Sequence, residues 1–79
     1  MGAYDWETKF YNALYYIRGV HSVTTDYDEY SNTLSVVVGG EFGASYNAPD
    51  EYEIKSKYNA IARDCPYRTT FRTEWDPGD

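Results

Sequence analysis

The stretch TLSVVVGGEFGASY, residues 33–46, decides the fold. Its first half is β-rich, and Leu34, Val36 and Val38 alternate onto one face. Its second half reads either as a long connector or as a further strand. If Gly39-Gly40-Glu41 forms a three-residue turn, Val38 meets Phe42, Val36 meets Ala44 and Leu34 meets Tyr46, so every inward residue gains an apolar neighbour. A two-residue Gly39-Gly40 turn would instead put Glu41, Gly43 and Ser45 on the core side. The first arrangement is preferred, and it predicts a strand over 42–46.

Upstream of this stretch lies VHSVTTDY, residues 20–27, whose Val23, Thr25 and Tyr27 share a face. A turn over Asp28 to Asn32 joins it to Thr33, with Tyr27 pointing in and Tyr30 pointing out. Residues 4–18 read as a helix, because Trp6, Phe10, Ala13, Leu14 and Ile17 recur at helical spacing as one apolar stripe. Gly19 is its expected stop.

Downstream, residues 47–65 read as a second helix. Asn47 is the expected cap, Pro49 sits in the first turn, and Ile54, Tyr58, Ile61 and Cys65 form the stripe. Glu53–Lys57 is a favourable i, i+4 pair, and Pro66 ends the helix. YRTTFRTEW, residues 67–75, alternates cleanly. Tyr67, Thr69, Phe71, Thr73 and Trp75 take one face, and Arg68, Thr70, Arg72 and Glu74 the other.

The predicted order is thus α-β-β-β-α-β, with α-β-β-α-β as the alternative. The class is α+β, a two-layer sandwich with both helices on one face of a mainly antiparallel sheet. The last strand is expected beside the first, parallel to it, with Arg68 and Arg72 pairing across strands with Asp26 and Glu74.

Seventy-nine residues make one domain with a small core. No apolar run approaches membrane-spanning length, and no basic-then-apolar leader is visible, so neither a membrane nor a secretory role is expected. The single cysteine, Cys65, precludes an internal disulfide and fits an intracellular, cytoplasmic setting.

The net charge of −6 is unevenly placed. Residues 1–51 carry eight carboxylates against two cations, whereas residues 52–79 carry five of each sign. This asymmetry predicts a basic protein partner. It argues against nucleic-acid binding that relies on phosphate contacts.

No motif demands a cofactor or a metal. DYDEY, residues 26–30, lacks the glycine and closing glutamate of a calcium loop and reads as a solvated hairpin tip with an acidic edge. GGEFG, residues 39–43, has no following Lys-Ser/Thr and carries Glu41, which repels phosphate. Cys65 and His21 are the one conceivable nucleophile–base pair. Cys65 lies on the apolar stripe at a helix C-terminus, where burial and the dipole both disfavour thiolate, so no enzyme activity is expected.

The tyrosines are more informative. Tyr4, Tyr11 and Tyr15 fall opposite the core stripe of the first helix, with Tyr16 bordering them. Exposed aromatics stacked on a helix mark a contact surface, whether for a partner or as a homodimer seam. The expected partner-binding residues are Tyr11, Tyr15 and Tyr30 as anchors, with Asp26, Asp28, Glu29, Glu41, Asp50 and Glu51 supplying charge. A nucleic-acid module using Arg68, Arg72, Lys55 and Lys57 is the competing expectation.

Three resemblances bear on this. ALYYIRGVHSV, residues 13–23, resembles the helix-to-strand passage of heavy-metal-associated ferredoxin-like domains, but the Cys-x-x-Cys metal loop of that family is absent. The α-β-β-β-α order is similar to double-stranded-RNA-binding domains. Those need lysines at the start of the second helix, where this chain has Asp50-Glu51-Tyr52-Glu53. At the level of composition, a small, acidic, tyrosine-rich domain resembles phage-encoded inhibitors such as anti-CRISPR and anti-restriction proteins. That likeness implies a viral, non-enzymatic inhibitor that places carboxylates where nucleic-acid phosphates would bind.

Overall fold

The computed structural model describes residues 2–41 and 49–76. The order is α1 (Ala3–Leu14), β1 (Val20–Asp28), β2 (Thr33–Glu41), α2 (Glu51–Ala62) and β3 (Arg68–Asp76), an α+β arrangement. The predicted strand over 42–46 falls on residues outside those described.

Helix α1 starts where the Asp5 carboxylate accepts the Gly2 backbone N–H at 3.3 Å. It stops at Leu14, one turn short of the predicted end. Two tight turns follow, closed by Ile17 N–H to Leu14 C=O (3.3 Å) and Val20 N–H to Ile17 C=O (3.0 Å). They keep Ile17 in the core while Gly19, at φ 87°, reverses the chain. Helix α2 is capped by Asp50, not Asn47. The Asp50 carboxylate accepts the N–H of Tyr52 (2.9 Å) and of Glu53 (3.4 Å). An anionic cap meets both the orphan donors and the helix dipole.

The sheet is three-stranded in the order β1-β2-β3. β1 pairs antiparallel with β2, placing Tyr27 opposite Leu34 and Thr25 opposite Val36. β3 pairs parallel with β2, placing Val36 beside Phe71. The last strand therefore lies beside the second strand rather than the first. β2 carries the most buried inner residues, Leu34, Val36 and Val38. The strand with the most apolar area to hide takes the centre, where neighbours cover it on both sides. β2 is thus paired on both edges, by β1 and by β3.

Gly39 and Gly40 also differ from expectation. They belong to β2 rather than to a turn. Val20 pairs with Gly40 and Ser22 with Gly39, so His21 is the extra residue of a bulge in β1. A Cβ on Gly39 would lie 2.6 Å from Ser22 Oγ and 3.4 Å from the Glu74 carbonyl oxygen. Gly39 thus lets β1 and β3 close in around β2.

Phe10, Leu14, Ile17, Leu34, Val36, Val38 and Ile54 form one buried cluster. It joins both helices to the inner sheet face. Tyr58 completes the join, stacking on Phe10 (centroids 5.5 Å) and Phe71 (4.6 Å) while its hydroxyl donates to Thr69 Oγ1 at 2.7 Å. Ser22, Thr24, Asp26, Arg68, Thr70, Arg72 and Glu74 face away and are exposed. The helices therefore cover one face only, as the two-layer reading required.

Candidate functional site

The hairpin tip is built by its own polar side chains. Asp28 Oδ1 accepts the Tyr30 N–H at 2.9 Å, an Asx-turn. Asn32 takes the left-handed conformation at φ 54°, which asparagine tolerates well. Its side-chain oxygen accepts the Tyr27 hydroxyl at 2.6 Å, and its carbonyl accepts the Arg68 N–H at 3.1 Å. Asn32 thus ties the tip to both neighbouring strands, a role the sequence reading missed. Asp26 projects from the outer face of β1, Glu29 is exposed, and Tyr30 is 95% exposed.

The remaining candidate acids lie elsewhere. Glu41 ends β2, and Asp50 and Glu51 begin α2. β2 runs its nine residues away from the tip, a distance of roughly 25–30 Å at ordinary strand rise. The candidate carboxylates therefore form two groups at opposite ends of the sheet, rather than one patch. Asp28 and Asp50 also hold local structure through the hydrogen bonds above.

Of the tyrosines expected on this face, Tyr11 and Tyr15 stack, at the C-terminal end of α1. Tyr11 and Tyr15 are each 37% exposed, with rings stacked at 4.8 Å and 14°. Tyr16 meets Tyr15 edge-on at 5.3 Å. Stacking along i, i+4 fixes the rings in place before any partner arrives, which lowers the ordering cost of binding. Tyr4 is exposed on the first turn of the helix.

Burial pushes the Tyr11 hydroxyl above the ordinary tyrosine value of 10.0, and the neighbouring Tyr15 and Tyr16 push it the same way. Tyr27 is raised too, first by burial, then by Tyr67 (ring centroids 5.0 Å), Glu29 and Asp28. In the folded chain these two phenols hold their protons longer than in the unfolded chain. Their contribution to stability is complete below pH 10 and is lost as pH rises through the folded-state values. Phenolate absorbance during an alkaline titration is expected to show a late component that shrinks in Tyr11→Phe and again in Tyr27→Phe. Both variants titrating like wild type would contradict the packing of Tyr11 against Tyr15 and of Tyr27 against Tyr67.

The outer sheet face is organised differently from expectation. Arg72 pairs with Glu74 of its own strand at 2.8 Å, both side chains well exposed. Asp26 stands opposite Ser35 on β2, and Thr70 of β3 donates to Ser35 Oγ at 3.0 Å. β2 therefore separates Asp26 from the arginines, and the expected pairing across the sheet does not form.

His21 sits at the bulge, at the Gly40 end of the sheet. Cys65 precedes β3, whose first residue pairs with Thr33 at the other end. The one thiol and the one imidazole are thus held apart by the length of the sheet. Among the described residues no three His, Cys, Asp or Glu side chains are placed to hold a metal ion. No described helix is long and apolar enough to cross a membrane.

Comparison with protein-family models, with curated proteins and with solved structures finds no match.

Proposed function

We propose that this chain is a non-enzymatic protein-binding module that docks on a basic, nucleic-acid-handling complex and inhibits it. The observation that carries this reading is the stacked aromatic run Tyr11–Tyr15–Tyr16, partly exposed at the C-terminal end of α1 and just beyond it. Exposed, mutually braced tyrosines supply large contact area at small entropic cost. A net charge of −6 adds steering toward a positive surface, and the exposed acids at the hairpin tip extend from the fold where a partner can reach them. The compositional likeness to phage inhibitors points the same way, as does an intracellular setting for a chain with one cysteine.

Direct nucleic-acid binding has less support. Of the four candidate cations, Lys57 faces Glu53 at 3.9 Å and Arg72 faces Glu74 at 2.8 Å, so two have carboxylates of their own beside them.

The test is affinity capture from a native lysate by the immobilised chain and by its Tyr11→Ser, Tyr15→Ser double variant. Basic proteins are expected on the wild type and about tenfold less on the variant, as loss of two anchoring tyrosines implies. A low-salt gel shift runs beside it. Nucleic acid retained by the purified chain at micromolar concentration would sink the inhibitor reading.

A further inference from the structure

The sheet has two outer strands, and they are unequally defended. β1 is interrupted by the bulge at His21 and carries Asp26 and Asp28 on its outer face. Bulges and edge charges of one sign are the usual protections against strand addition. β3 runs Arg68–Asp76 in unbroken register with β2, with no proline, and among the described residues no strand covers its other edge. It also belongs to the charge-balanced part of the chain, so a second copy can approach without the repulsion that the first 51 residues would impose.

The backbone direction can be worked out. The Arg68 N–H donates to Asn32 on the β2 side. By strand alternation, Thr70 and Arg72 also turn their backbone groups toward β2, while Thr69, Phe71 and Thr73 turn theirs to the open edge. Three residues therefore present N–H and C=O groups to whatever lies alongside.

We propose that β3 is a homodimerisation edge, pairing antiparallel with β3 of a second copy about a two-fold axis at Phe71. This register pairs residues 68–74, leaving the last two residues of β3 beyond the paired stretch. It sets Phe71 against Phe71 and Thr69 against Thr73 as hydrogen-bonded pairs, six bonds in all by strand geometry. On the outer face it sets Arg68 of each copy against Glu74 of the other, and Thr70 against Arg72. Opposite charges meet twice, in the closely spaced non-hydrogen-bonded positions. Sliding by two residues one way puts Arg68 against Arg72 at two sites; the other way sets Arg68 against Asp76 at two sites but brings Arg72 against Arg72 at the axis. Of the three registers, the central one alone opposes no like charges. The result is one continuous six-stranded sheet. The open cleft of about 230 Å³ beside β3, lined by Ile54, Phe71, Thr73 and Lys55 among others, would face its symmetry mate across the axis.

Sedimentation equilibrium over a concentration series tests this, with hydrogen exchange on the same samples. The wild type is expected to dimerise. Amides of Thr69, Phe71 and Thr73 gain protection as concentration rises, while those of Thr70 and Arg72 are protected throughout. Arg68→Glu and Glu74→Arg each place like charges opposite one another at two sites, weakening the dimer about tenfold. Both substitutions in one chain restore it. A monomer at all concentrations, a dimer indifferent to both single substitutions, or a dimer lost with Tyr11→Ser instead would each overturn the proposal.

Discussion

Phe10→Ala is expected to leave much of the population unfolded at room temperature. Phe10 is fully buried at the junction of α1, α2 and the sheet, stacked on Tyr58. Truncating such a ring costs ~3–5 kcal/mol through lost transfer energy and the cavity left behind. A chain of this length has a total stability of roughly 4–12 kcal/mol at ordinary values per residue. The loss is therefore comparable with the lower part of that range. Tyr58→Phe removes only the hydroxyl bond to Thr69 and is expected to cost about 1 kcal/mol. Tyr11→Ala, at a partly exposed position, should cost well under Phe10→Ala. Circular dichroism with urea titration orders the three. A Phe10→Ala midpoint equal to wild type would refute a core centred on this ring, because no other buried side chain could take over its contacts with Tyr58.

The same residues show what can be read from sequence. Phe10, Leu14 and Ile54 were legible because helical periodicity is a local signal, and Leu34, Val36 and Val38 because strand alternation is too. Asp50 and Asn47 are both good caps three residues apart, and composition does not say where the helix will begin. Gly39-Gly40 was misread for a deeper reason. Two glycines look like a turn, yet in the sheet the missing Cβ makes room for Ser22 and for the backbone of Glu74. Those neighbours are distant in sequence, so the need for glycine exists only after the strands are ordered. The strand order was itself the least legible feature, because either edge of the first hairpin could accept β3. The acidic and aromatic residue types were evident at once. Their division between two ends of the sheet followed only from the order β1-β2-β3.

That division yields the second large expected effect, on association rate. Neutralising or reversing the hairpin acids is expected to slow docking on a basic partner about ten- to a hundredfold at low salt. Asp28 accepts the Tyr30 amide, so the substitution there must keep an acceptor. Asp26→Lys, Asp28→Asn and Glu29→Lys together remove five units of negative charge from a net −6, two from each reversal and one from the amide. A matched variant at the far end is Glu41→Lys, Asp50→Asn and Glu51→Lys, where asparagine preserves the cap on α2. Both variants end at the same net charge. Steering by total charge alone would slow them equally. At physiological salt, docking at the tip slows the first far more than the second, because a pair at contact is attracted through a few ångströms and one at the far end lies beyond a Debye length of ~8 Å. Stopped-flow measurement against the captured partner, repeated at high salt, separates the cases. The difference between the variants should collapse near 1 M salt, where screening shrinks to about 3 Å. Equal rates for both variants at physiological salt would remove the hairpin tip from the docking surface and leave the tyrosine face of α1 as the remaining candidate.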